Sequence, residues 1–395
     1  MRVTALLKDF IESEKSSGLI LIVCTLFSLI VANSSWHDAY HHLWSFPIGG
    51  HSFEHWINDG LMAIFFLMIG LELEREVYIG ELSTLKKAGL PLAGALGGML
   101  VPALLYYLFN AGTSGADGVG IPMATDIAFA LGILSLLGSR VPIALKVFLT
   151  ALAVIDDLGA IIVIALFYSK GISFFHLGIA MGIFVLLLVL NRKKVHVLWP
   201  YLLGGVCMWY FMLHSGVHAT ITGVLLAFAI PFADGSKDSI SYKLQHVLHR
   251  PVAFIILPLF ALANTAVVFH GSFSSAMMEL SSIGILSGLV IGKPLGISLF
   301  CWGATALRWC QMPDGVGFKK LLGVGMLGGI GFTMSIFVTL LAFDDLEMIN
   351  TSKIAILMAS TVAGVIGFIY LKWALPQPVA SVLGSEMVPE EGSQD

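Results

Sequence analysis

Ala151-Leu152-Ala153-Val154-Ile155-Asp156-Asp157-Leu158-Gly159-Ala160 sets two adjacent carboxylic acids inside an apolar run. Apolar sequence continues on both sides of it, long enough for a helix that crosses a bilayer. An ionisable group at mid-bilayer costs about 2.5–3.5 kcal/mol on insertion scales, so it faces a bundle interior or water. Neighbouring residues on a helix point about 100° apart, so Asp156 and Asp157 serve different partners. Two like charges this close cannot both ionise without a cation, and the pair titrates as a coupled unit. Such a group holds protons or a hard monovalent cation, but not both. The plainer alternative is a structural pair bonded to backbone.

The rest of the chain has the same character. Of 395 residues, 57% are hydrophobic and 12% charged, against about 45–50% and 25% in soluble domains. Mean hydropathy is +0.91. A water-facing surface cannot be built from so few charges, and the net charge of −4 gives no sign of nucleic-acid binding. The expected fold is all-α and membrane-embedded. Twelve transmembrane helices are expected, centred near residues 25, 65, 98, 129, 156, 182, 206, 224, 260, 292, 331 and 364. The break at His214-Ser215-Gly216 separates two spans that otherwise read as one. The run from Gly18 to Val31 follows Arg2, Lys8 and Lys15 like a signal peptide, but no cleavage site follows, so it reads as a retained span. Twelve spans with a cytoplasmic N-terminus leave Lys170 and Lys353 as the outside basic residues, with Lys293 within a span and the others inside. Residues 1–375 form one polytopic domain, and residues 376–395 read as a disordered cytoplasmic tail. Cys24, Cys207, Cys301 and Cys310 read as small core residues, with no disulfide framework or zinc site.

Three more charges interrupt apolar sequence. Asp126 sits in Pro122-Met123-Ala124-Thr125-Asp126-Ile127-Ala128. Pro122 weakens the helix there and frees carbonyls, and Thr125 adds a hydroxyl oxygen suited to a hard cation. Asp126 also fits a helix cap, which in mid-membrane implies a broken helix. Lys293, between Gly292 and Pro294, pairs with a buried carboxylate or with the negative end of a half-helix. Asp59 precedes the second span, and Glu72, Arg75 and Glu76 share one helix face at its end. That face is either a solvated helix end or a cytoplasmic ion funnel.

Glycines crowd residues 323–331 and read as close packing or an unwound segment. Gly284, Gly288, Gly292 and Gly296 form a packing ladder. Gly97–Pro102 loosely echoes Gly292-Lys293-Pro294, a weak sign of two inverted triplets. Pro47-Ile48-Gly49-Gly50 suits a short hairpin in the loop from Ser34 to His55. His51 to His55 matches a zinc-peptidase pattern, but without a domain around it. His218 opens the eighth span, as an interfacial or a pH-responsive histidine.

At five stretches the sequence resembles the NhaA family of bacterial sodium/proton antiporters. They are Ala124–Ala130, Ile155–Ala160, Ser215–Thr220, Ile291–Gly296 and Gly329–Ser335. The likeness runs from about Gly18 to Leu375. It implies twelve spans in inverted three-helix repeats, with two discontinuous helices crossing at mid-membrane. It implies Asp156 and Asp157 as the cation and proton site, with Thr125 and Asp126 beside it. Asp126 compensates positive half-helix ends, and Lys293 compensates negative ones or pairs with Asp156. The implied activity is electrogenic, pH-regulated exchange of Na⁺ or Li⁺ for H⁺ in the inner membrane, by a homodimer joined partly through Ser34 to His55. No cofactor is expected. The implied pH-sensing mouth maps to Glu72, Arg75, Glu76, Gln245, His246 and His249. Gln245 stands where an acid is expected, and Glu74 where a base is expected.

Two other classes fit less well. An intramembrane aspartyl protease needs facing aspartates on separate helices, whereas this pair is adjacent. A sodium-coupled solute symporter needs a solute pocket, and no further arginine lies mid-span to hold an organic anion.

Overall fold

The computed structural model describes residues 2–169, 171–268, 273–313 and 316–375. The tail expected to be disordered, 376–395, and Lys170 lie outside the described residues. The described residues are almost wholly helical. In order come α1 (Arg2–Ala32), α2 (His37–Ser45), α3 (Met62–Tyr78), α4 (Leu85–Asn110), α5 (Ile127–Leu136) and α6 (Ile143–Phe167). Then follow α7 (Phe174–Arg192), α8 (Trp199–Leu213), α9 (Ile221–Ala229), α10 (Ile240–Pro251) and α11 (Leu257–Asn264). After a short turn of helix at Phe273–Met278 come α12 (Leu280–Ser287), α13 (Lys293–Ala306), α14 (Phe318–Gly328), α15 (Phe332–Ala342) and α16 (Leu346–Ala374).

The expected hairpin is present. Pro47–Ile48 pairs antiparallel with His51–Ser52 across Gly49 and Gly50, whose φ angles of +61° and +92° only glycine adopts freely. The break after His214 is also present: α8 ends at Leu213, Gly216 turns the chain at φ +79°, and α9 begins at Ile221.

Among the described residues, eight helical segments are long and apolar enough to cross a membrane, or ten if each of two bent pairs counts as one span. The bent pairs are α1 with α2, at 116°, and α14 with α15, at 48°. α8 and α9, with 15 and 9 residues, fall short of a span each. Outward apolar side chains such as Leu104, Leu108, Phe167 and Phe174 are largely exposed, as a lipid-facing surface requires.

The glycine ladder does pack. A Cβ on Gly296 would lie 2.1 Å from the Gly97 carbonyl oxygen, and one on Gly97 equally close to that of Gly296. Only two glycines let α4 and α13 approach so closely, and Gly288 and Gly292 continue the contact against Pro122 and Pro102. The two stretches that echo each other in sequence therefore lie against each other. Of the cysteines, Cys301 and Cys310 are buried, Cys24 is partly so and Cys207 is exposed. The core reading therefore fails for Cys207, which is exposed on α8. Lys353, counted as an outside residue, is 7% exposed within α16.

Three π-helical turns, Trp56–Leu61, Val252–Ile256 and Gly288–Gly292, precede α3, α11 and α13. The last ends next to Lys293. Before α5 the chain runs through a tight 3₁₀ turn, Ala116–Met123. Tyr168 braces that turn, donating to the Asp117 carbonyl at 2.7 Å and accepting from the Gly120 N–H at 3.1 Å. Burial pushes its phenol up to about 12, so it remains a donor.

Candidate functional site

Two breaks in the helical ladder meet. Between the 3₁₀ turn and α5, residues 124–126 are extended, and between α14 and α15 the chain opens at 329–331. The Asp126 N–H donates to the Ile330 carbonyl at 2.7 Å, joining the breaks through backbone. Side chains lace them further. Thr125 Oγ1 lies 2.9 Å from the carbonyl of Gly328, the last residue of α14. Ser335 Oγ donates to the Ile121 carbonyl at 2.7 Å. Each break thus supplies a hydroxyl to carbonyls that the other leaves without a helical partner.

Asp126 caps both downstream half-helices. Its Oδ1 accepts the Phe129 N–H at 2.9 Å. Its Oδ2 accepts the Thr333 N–H at 3.2 Å and the Thr333 hydroxyl at 2.5 Å. A carboxylate placed at two helix N-termini meets two positive dipole ends. The cap and charge-compensation readings of Asp126 both match this geometry, and its oxygens are largely engaged. The N–H of Phe332, the first residue of α15, donates to Ser360 Oγ of α16 at 3.1 Å.

α6 passes this junction unbroken and presents Asp156 and Asp157, both fully buried. Asp156 Oδ2 forms an ion pair with Lys293 Nζ, itself fully buried. Of the two partners open to Lys293, a carboxylate or a half-helix end, the structure brings it to Asp156. Thr125 Oγ1 accepts from Lys293 Nζ at 2.8 Å and lies 2.9 Å from Asp156 Oδ2. Its single proton serves either Asp156 or the Gly328 carbonyl at one time. Asp156 Oδ1 and both oxygens of Asp157 are buried with no hydrogen-bond partner among the described residues. Unsatisfied buried carboxylate oxygens are costly, and three together leave room for a proton or a hard cation.

The mouth residues are less concentrated. Arg75, on the face it shares with Glu72 and Glu76, reaches to α10 and the loop before it. It donates to Gln245 Oε1 at 3.4 Å and to the Gly235 carbonyl at 3.1 Å, and lies 4.5 Å over the Tyr242 ring. Gln245 therefore holds, as a neutral amide, the place where an acid would ion-pair with Arg75. Glu76 Oε2 accepts the Glu81 N–H at 2.8 Å, and Glu72 is half-buried. Glu74 is 4% exposed, with Oε2 lacking a partner among the described residues. His246 stacks on Tyr242 and is exposed, while His249 lies one turn further along α10. His218 is elsewhere: its Nε2 lies 3.1 Å from the Tyr168 carbonyl, close to Asp59 rather than Arg75.

Sequence reasoning did not single out Thr333, Ser335 or Ser360. Hydroxyls are common in apolar helices, where each can bond a carbonyl of its own helix, so burial alone does not mark them.

Ionisable groups sealed inside a bundle of apolar helices define a polytopic helical membrane protein. The family model described as Na+/H+ antiporter 1 matches residues 8–371. A protein named Na(+)/H(+) antiporter NhaA from Cytophaga hutchinsonii is 60% identical over 98% of this chain and 100% of its own length. Its namesake from Flavobacterium psychrophilum is 62% identical over 96% and 99%. One from Escherichia coli O1:K1 / APEC is 48% identical over 93% and 97%. The solved structure of the sodium proton antiporter MjNhaP1 from Methanocaldococcus jannaschii superposes with a TM-score of 0.50 at 15% identity, covering 95% of this chain and 96% of that one. That last likeness concerns the fold alone. The chain belongs to the Na+/H+ antiporter 1 family.

Proposed function

We propose that this chain exports Na⁺, or Li⁺, in exchange for H⁺ across the bacterial inner membrane, with Asp156 and Asp157 as the exchange site. The observation that carries the reading is the fully buried pair, with three oxygens unpartnered among the described residues, beside an ion-paired lysine. A cation that takes Asp156 Oδ2 must displace Lys293. An ammonium left buried and unpaired sheds its proton. The same cation takes Asp157 in place of a second proton. One of the two protons thus comes from Lys293 and the other from Asp157.

The proton-loaded site holds Asp157 neutral and Asp156 against Lys293. The sodium-loaded site holds two carboxylates, one cation and a neutral amine. The first carries one more positive charge, so each cycle moves net positive charge inward. The membrane potential then assists by about 2.3 kcal/mol per charge per 100 mV. Asp126 keeps the two breaks aligned beside the pair. Its engaged oxygens, on a segment joined to α15, also speak against a protease dyad with Asp156 or Asp157.

Twelve crossings follow if α1 with α2 counts as one span, α8 and α9 each as a short span, and α14 with α15 as one broken span. Inverted three-helix repeats, a cytoplasmic N-terminus and a homodimer through the loop 34–55 complete the proposal. Arg75, Gln245, Tyr242 and the histidines of α10 form its cytoplasmic mouth, where a neutral Gln245 weakens the charge coupling that would set a response to internal pH.

Proteoliposomes with an acid interior and an internal pH dye test the exchange. Na⁺ or Li⁺ added outside collapses the gradient and K⁺ does not, and Asp157→Asn abolishes the response. Exchange that does not respond to an imposed membrane potential would sink the two-proton count.

A further inference from the structure

A cavity of about 250 Å³ lies between the segment 52–59 and the end of α15, lined by Ser52, Glu54, His55, Asn58, Asp59 and Phe337 among others. The charge pattern assigns this end to the outside. Its inner wall is Phe337, which packs against Phe66 at 5.3 Å and Phe260 at 6.3 Å between ring centroids. Phe337 lies one turn, about 6 Å, from Thr333 on the same helix. Thr333 holds Asp126. The cavity therefore stops one helical turn from the laced breaks.

Its titratable groups converge on one carboxylate. His55 Nδ1 lies 3.1 Å from Asp59 Oδ2. The His51 ring stacks on the His55 ring at 4.3 Å. His55 Nε2 is buried without a hydrogen-bond partner among the described residues. From other elements, His218 and His51 stand within electrostatic reach of Asp59, and Lys353 of α16 stands near Glu54. α11 and α15 face Asp59 with no titratable group. The amides of Asn58 and Asn264 bond each other at 2.7 and 3.2 Å, fixing the segment beside it.

We propose that His55 and Asp59, assisted by His51, form the outer proton-loading site of the exchanger. A proton from outside water binds His55 Nε2, and the Nδ1 proton passes to Asp59 Oδ2. The ring ends neutral in its other tautomer, and one proton has moved from water to the carboxylate. The site deepens the exchange reading above and rests on it, because protons enter from the outer face only if the chain imports them.

Sided membrane vesicles holding the full chain test this. Right-side-out vesicles loaded with Na⁺ report efflux across a series of outer pH values, and inverted vesicles report the same series applied to the inner face. For His55→Gln, efflux should fall roughly tenfold or more at alkaline outer pH, where protons are scarce, and recover at acid outer pH. The inner-face series should match that of the unaltered protein. His51→Gln, at an exposed position, should give a smaller change of the same sign, and it carries the comparison if His55→Gln does not reach the membrane. An unchanged outer profile, or equal losses in both series, overturns the proposal. Unaltered protein that moves no protons with Na⁺ overturns the exchange reading instead, and this proposal with it.

Discussion

The two helix breaks reach the same end by opposite means. The first is made by Pro122 and stops at its own cap, Asp126, whose φ and ψ of −79° and +99° lie outside the helical region. The second is made by Gly329 and Gly331 and has no side-chain cap of its own. It borrows Asp126 across the junction and Ser360 from α16. One break is self-sufficient and the other depends on it. A carboxylate that serves two helix ends binds them into one mechanical unit, so that neither break can shift alone.

The largest effect that tests this asymmetry is expected from Asp126→Ala. It removes three hydrogen bonds across two half-helices and should cost on the order of 3 kcal/mol or more. Thermal unfolding in detergent, with exchange measured in parallel, should show both lost. A stable, active Asp126→Ala protein would falsify the shared-cap account.

Gly329→Ala comes next. Its Cβ would lie 2.3 Å from the Leu289 carbonyl oxygen, a backbone atom that cannot swing aside. Overpacking of that kind costs about 1–3 kcal/mol, and the same melting assay should register it. Ser360→Ala touches only the borrowed cap and should cost about 1 kcal/mol, with Ser360→Thr recovering most of it. Equal sensitivity of both breaks to Ser360→Ala, read by hydrogen exchange at Phe129 and Phe332, would erase the asymmetry. The smallest effect is expected from Pro122→Ala. Asp126 and the Tyr168 brace still hold that segment, so stability should move by less than about 1 kcal/mol.

The breaks and the site differ in how far they could be read from the chain itself. Asp126, Asp156, Asp157 and Lys293 stood out because a charge in an apolar run is costly and needs a reason. Pro122 and the glycines at 328–331 marked unwound backbone, since those residues either cannot continue a helix or gain nothing by doing so. The hairpin at Gly49-Gly50 and the ladder through Gly296 were legible for similar reasons. The lacing was not. Ser335, Ser360 and Thr333 are ordinary residues of apolar helices, and only their cross-chain distances reveal their work. Nor did spacing decide which partner Lys293 takes, because a carboxylate and a half-helix end would each offset its charge. The π-helical turns left no mark in composition. The lengths of α8 and α9 were hidden by an apolar stretch that reads as long enough for more than one arrangement. Cys207 was misjudged because apolar neighbours indicate a helix in lipid as readily as a core.

The hydroxyl of Thr125 has one proton and two oxygen atoms waiting for it. Whichever way it turns, either the Asp156 carboxylate or the Gly328 carbonyl goes short. The junction therefore has no fully contented arrangement, and its alternatives stay close in energy. A turnstile needs that quality: a compartment that gripped its passenger in a deep well would bind well and deliver nothing.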